Sequence, residues 1–182
     1  MFYAQIIISG KYRMSTNWTS PSILEQYAED ESHITWNSAD VSLILSGTSI
    51  STSSPLLHIA RQPRNDIKMK TYFLRASGFN FENLPDTISG IECKVLINRG
   101  GRITDETVQL CLNETLIGDN RANLEVHPEK VYGSSIDKWN VTNLDRSMVQ
   151  DPTFGVVLRF QSHPAWPHKT TPKISSVELY IY

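Results

Sequence analysis

Residues of the types that do chemistry are present in this chain, but few fall at spacings that chemistry needs. His163 and His168 share one loop, HPAWPHK, and two imidazoles five residues apart could face a common metal ion. No cysteine or carboxylate stands near them, and the prolines hold that segment extended. The remaining histidines, His33, His58 and His127, are scattered. Asp30–Glu31 and Asp105–Glu106 are paired carboxylates, and a pair does hydrolytic acid–base work only when set ~5 to 9 Å apart across a cleft. Adjacent residues on a turn point apart, so both pairs read as solvated. A calcium site built from loop carboxylates would draw on Asp86, Asp119 or Asp151, although their spacing does not demand one. There is no GxSxG elbow, P-loop, dinucleotide-binding glycine pattern, HExxH or CxxC. The sequence therefore predicts no catalytic residue, no metal ligand and no cofactor.

Aromatic side chains offer a different chemistry. Trp18, Trp36, Trp139 and Trp166 lie in or beside loops. An exposed indole on a β-sandwich can stack on a sugar ring, which makes Trp18, Trp139 and Trp166 candidate glycan platforms. The competing reading is that each tryptophan caps an open end of a core or packs against a neighbour.

The elements that would position these residues are strands. Ile91, Cys93, Val95 and Ile97 alternate with Glu92, Lys94 and Leu96, which is period-two patterning. Val108 and Leu110, Val156 and Leu158, and Val177 and Leu179 continue the pattern in three later segments. Four such faces can share one core. With eight to ten short strands, little helix and long polar loops, the expected architecture is all-β: a two-sheet antiparallel sandwich, jelly-roll-like, in a single domain over 1–182. The first ten residues read as a strand, and the last strand runs to Tyr182. A helical turn over Ile23 to Tyr27 is one option, as is another over Leu144 to Val149 capped by Asn143. His33 to Trp36 reads as the start of a strand. Asn98 to Arg102 carries turn residues and predicts a hairpin joining the Ile91 and Val108 strands. In that hairpin Cys93 faces inward and Cys111 outward, so the two thiols stay unbridged.

Residues 41–61 read as a hairpin excursion. Val41, Leu43, Ile44, Leu45, Leu56 and Leu57 give it apolar groups on both faces. Such a segment needs cover on each side, which makes these residues candidate docking positions.

Composition narrows the partners. The chain has 182 residues, 40% apolar and 20% charged, with net charge −2, an ordinary globular balance with no global pull towards nucleic acid or an anionic membrane. No apolar run is long enough to cross a bilayer as a helix. Sequons at Asn17, Asn113 and Asn140 are no more than chance supplies.

The order of motifs says more than any one of them. YFLRASGFNF, LPDTISGIECKV, GDNRA, VYGSSIDKW and DPTFGVVLRF follow one another along the chain, after a W-x-x-P opening at Trp18 to Pro21. This order resembles a family of phage virion structural proteins with a jelly-roll-like sandwich. The resemblance implies a non-enzymatic decoration or assembly subunit attached to capsid or tail, located in the virion after assembly in the host cytoplasm. Its partners would be other virion proteins and copies of itself, with neither nucleic acid nor membrane. The alternatives are a receptor- or glycan-binding module of a tail fibre, or an inactive relative of a carbohydrate-processing sandwich.

Overall fold

The computed structural model describes residues 17–28, 33–39, 41–46, 49–51, 53, 58–59, 67–99, 103–123, 129–162 and 171–182. In chain order the elements are β1 (Ile23–Tyr27), α1 (Val41–Leu45), β2 (Ile50–Ser51), β3 (His58–Ile59), β4 (Ile67–Lys68), β5 (Phe73–Ser77), β6 (Ile91–Arg99), β7 (Ile103–Leu112), β8 (Thr115–Ile117), β9 (Glu129–Ser134), α2 (Arg146–Gln150), β10 (Gly155–Ser162) and β11 (Pro172–Ile181). Two antiparallel sheets make the sandwich, one of five strands in the order β1-β5-β10-β7-β8 and one of four in the order β2-β11-β6-β9. A small ladder joins β3 and β4. From β5 to β11 the chain changes sheet at every connection except β7 to β8, so neighbours in space are far apart in sequence.

The period-two faces meet as the alternation requires. Ile91, Cys93, Val95, Val108, Leu110, Val156, Leu158, Val177 and Leu179 are all fully buried in one apolar cluster. Phe160, Ile174 and Ile181 join it from β10 and β11, and Phe154 from just before β10.

Two β-bulges shift the phase of this pattern. In β11 the pairing steps from Ile174 with Ile97 to Ser176 with Leu96, leaving Ser175 as the extra residue. That is why Ile174 and Val177, three apart, both face the core. In β7 the pairing steps from Asp105 with Phe160 to Thr107 with Arg159, so Glu106 is the extra residue. A one-residue shift exchanges the faces of a strand. It turns Asp105 into the interior beside Phe160, where unbroken alternation would place Glu106.

Asp105–Glu106 is accordingly not a solvated pair on a turn. Both residues lie within β7; Asp105 is buried and ion-paired to Lys130, and Glu106 is held by Lys70 and Arg159.

Other local expectations change for equally definite reasons. β6 and β7 do not pair as the hairpin expected from the turn residues between them; they belong to opposite sheets. Val41–Leu45 is one turn of α-helix instead of a strand. Among the described residues of 41–61, β2 pairs with β11 and β3 with β4, and no strand pairs with another strand of the segment. Ile23–Tyr27 is a strand paired along β5 rather than a helical turn. Among the described residues, 33–36 form no strand but carry two bridge positions, Ile34, paired with Thr71, and Trp36. α2 is capped by Asp145, whose carboxylate accepts from the Met148 amide at 2.9 Å, and not by Asn143, which has φ +57°. The strand expected over the first ten residues lies outside the described ones.

Candidate interaction surfaces

Trp139 is the first proposed platform to fail. It is fully buried, and its Nε1 donates to the Ile91 carbonyl at 2.9 Å. Two motif glycines make room for it. Gly133 has φ +84°, and a β-carbon there would stand 2.2 Å from the Ile91 oxygen and 2.6 Å from Trp139 Nε1. Gly118 has φ +65°, and its β-carbon would meet the Trp139 carbonyl oxygen at 2.1 Å. The GDNRA loop closes round the same residue. Asp119 N donates to the Trp139 carbonyl, Asn120 Oδ1 accepts from Val108 N and Ala122 N, and Arg121 pairs with Asp137 at 2.7 Å. Trp139 itself has φ +55° and Asn140 after it φ +56°, and a tryptophan beside Asn and Asp reads in the sequence as an exposed loop side chain. Here it is the pin of a loop cluster.

Trp36 is also packed inside, edge-on to Phe160, with Nε1 donating to the Tyr72 carbonyl. Trp166 lies outside the described residues. Trp18 is thus the described candidate that stays at the surface, half-buried.

The segment carrying Trp18 runs beside β11. Thr19 and Leu179 exchange backbone hydrogen bonds at 2.9 Å in both directions, which places Trp18 across from Tyr180 on the outer face of the four-stranded sheet. The Trp18 and Tyr180 rings meet edge-on at 5.5 Å, and Tyr180 leans on Tyr182 at 4.5 Å. Lys94 Nζ sits 4.4 Å over the indole while ion-paired to Glu178. The Tyr182 hydroxyl donates to Glu92, and its pKa is pushed up to about 12 by burial first and then by that carboxylate.

Trp18 also borders a hollow of about 260 Å³, lined by Asn17, Thr19, Ser20, Asn80, Glu82 and Asn83. Phe79, Phe81 and Leu84 are buried, with the two phenyl rings stacked at 5.8 Å, so Asn80, Glu82 and Asn83 point outward from an anchored segment. The two walls are tied together, because Ser22 Oγ donates to the Gly78 carbonyl at 2.8 Å.

The proposed docking residues divide. Leu43 packs half-buried against the core, whereas Leu45 is 58% exposed. The side chains of Val41 and Ile44, and all of Leu56 and Leu57, lie outside the described residues.

The outer face of the five-stranded sheet carries charge over aromatic rings, a feature the sequence reading missed. Tyr27 stacks on Phe73 at 5.1 Å, and the Arg159 guanidinium lies 3.9 Å over the same Phe73. Arg75 bridges Glu25 and Glu114. Glu106 accepts from Arg159, Lys70 and Thr107. Burial alone would raise its pKa, but these hydrogen bonds and the Arg159 charge prevail and hold it at about 2. Spaced charges on alternating strand positions were the available signal, at Glu25, Arg75 and Arg159, but their cross-strand register cannot be read before the pairing is known.

The loop carboxylates stay apart in their contacts. Asp86 faces Arg146 at 3.7 Å, Asp119 faces Arg121 and Asn140, and Asp151 accepts from Thr153. Among the described residues no three of His, Cys, Asp or Glu gather closely enough to hold a metal ion. His127, His163, His168, Asp30 and Glu31 lie outside them. No helix among the described residues is long and apolar enough to cross a membrane.

Comparison of the chain with protein-family models, curated proteins and solved structures finds no match in any of the three.

Proposed function

We propose that the chain is a non-enzymatic structural subunit of a phage virion, attached to capsid or tail and acting through contacts with copies of itself and with other virion proteins. What carries the reading is the ordered set of motifs, together with what their residues do here. Gly118, Asn120, Gly133 and Trp139 hold loops to one another. A pattern made of loop-locking residues suits a scaffold that must keep its shape under load. The virion is then its location, and neither nucleic acid nor membrane is a partner.

Docking falls to α1. Four of its five residues are apolar, VSLIL, and a single helical turn cannot hide them in one stripe. Leu43 faces the core and Leu45 is left outward. A neighbouring subunit that covered Leu45 and its surroundings would need to bury roughly 1,000 Å² or more for a stable contact.

Mass spectrometry of particles purified from the source lysate tests the assignment directly. The chain should be present at a fixed ratio to the major shell or tail protein; its absence from clean particles defeats the proposal. A Leu45→Glu variant then tests the docking element without touching the core. It should fold as the parent does and lose its place on the particle. Removing residues 41–61 outright would be a poorer test, since that also deletes the buried Ile50.

A further inference from the structure

The hollow beside Trp18 has a composition that selects its ligand. Its seven lining residues are Asn17, Trp18, Thr19, Ser20, Asn80, Glu82 and Asn83. None is a lysine, arginine or histidine, so a phosphate or sulfate would meet Glu82 and no lining cation. The lining is polar apart from the indole, so a purely apolar ligand would strand amides and hydroxyls without partners. The side chains of Asn17, Asn80, Glu82 and Asn83 make no hydrogen bond or ion pair with a described residue. Each asparagine presents a donor and an acceptor on one planar group, and Glu82 adds an acceptor-only pair of oxygens. Adjacent sugar hydroxyls, each both donor and acceptor, match that set. Pyranose C–H groups, slightly positive, suit the electron-rich face of an indole.

We propose that this hollow is a binding site for a neutral saccharide, with Trp18 as the stacking surface and Asn80, Glu82 and Asn83 as hydroxyl partners. Its size, about 260 Å³, suits a single sugar residue, below the range of sites for larger ligands. The site is built before any ligand arrives. Trp18 is fixed by its edge-to-face contact with Tyr180 and by Lys94 over one face of its ring, and the opposite wall is anchored by Phe79, Phe81 and Leu84. Asn83, at φ +55°, holds a left-handed backbone at the rim, the kind of local strain that often accompanies a binding site. Binding here does not require the chain to be a virion subunit, and particle incorporation reads that separately.

The test is an NMR titration of the isotopically labelled full chain with methyl α-mannopyranoside, methyl β-galactopyranoside and N-acetylglucosamine, with inorganic sulfate as the charged arm. At least one sugar should give saturable shifts confined to residues 17–20 and 80–83 and to the Trp18 indole N–H, with a dissociation constant of roughly 1–10 mM. The double variant Asn80→Ala/Glu82→Ala replaces two exposed side chains; its melting should match the parent while affinity falls about tenfold or more. No saturation with any sugar at roughly 50 mM overturns the proposal. So does saturation that the double variant leaves unchanged, and so does sulfate moving the same amides more tightly than any sugar.

Discussion

Asp105 on β7 and Lys130 on β9 form an ion pair between the two sheets, their side chains 2% and 6% exposed. Lys130 Nζ also donates to Asn123 Oδ1 at 2.8 Å and lies 5.8 Å from the Tyr132 ring. Lys130 pairs with Val95 in its own sheet and so points inward, and the bulge at Glu106 turns Asp105 to meet it. Charges this deep are held by each other.

Removing one partner should therefore cost more than removing both. Asp105→Ala leaves Lys130 buried and unpaired, and should lower unfolding free energy by about 3–5 kcal/mol. Asp105→Leu combined with Lys130→Met should return to within about 1 kcal/mol of the parent. Urea unfolding of the three proteins decides the matter. A single variant as stable as the parent would mean that the pair is not buried as described.

Gly133 and Trp139 should be coupled. Gly133→Ala puts a methyl group against the Ile91 oxygen and Trp139 Nε1 at a positive φ, with an expected loss of at least about 3 kcal/mol. Trp139→Phe takes the hydrogen bond from the buried Ile91 carbonyl and leaves a void, for a loss of at least about 1–3 kcal/mol. Because both changes strike one contact, the double variant should lose less than the sum. Strict additivity would refute the shared contact.

Acidification should find Glu106. Its folded pKa of about 2 lies below the ordinary value of 4.5. The native state thus favours the carboxylate, and the resulting stability is full above pH 4.5 and drains away as pH falls towards 2. Glu106→Gln should be less stable than the parent at pH 7, with the gap closing through that window. A gap that stays constant down to pH 2 would mean the carboxylate carries no such preference.

Both thiols are free and buried. Burial, and then the Asp105 charge, pushes Cys93 up; burial pushes Cys111 to about 11 in spite of Arg75 and a backbone hydrogen bond from Gly155. Little thiolate exists at pH 8, so the folded chain should react slowly with Ellman's reagent and the unfolded chain should release two equivalents. Melting should move by no more than about a degree with reductant or chelator. Rapid titration of either thiol in the folded chain would place it at the surface.

The core was legible because burial on one face writes itself as alternation, and nine residues read that way share one cluster. The phase of Cys93 and Cys111 was legible for the same reason. Cys111 indeed faces away from the main core, although Phe73 and Val157 cover it there. The sheet assignment of β6 and β7 was not legible. Asn98 to Arg102 says where the chain turns but not which sheet receives it. Nor was Asp105, because a bulge reverses facing without leaving a signature in residue type. The apolar load of Val41 to Leu45 was visible, but its period was not; five residues are too few to separate a strand from a helical turn. At the Trp18 hollow, the sequence offered the indole alone, since Asn80 and Glu82 join it only through the pairing of Thr19 with Leu179 and the tie from Ser22 to Gly78.

The interleaving of the sheets has a consequence for how the chain is made. β6, at the middle of one sheet, has as neighbours only β9 and β11, and β5 waits for β10. A ribosome that has released everything up to β8 has therefore left both edges of β6 without the strands that pair with them. Long-range pairing of this sort folds slowly and leaves apolar edges open meanwhile. The nascent chain should stay sensitive to protease and bound by chaperones until β11 emerges, then close in one step. Nascent chains stalled just before and just after β11 has cleared the exit tunnel should differ sharply in protease resistance.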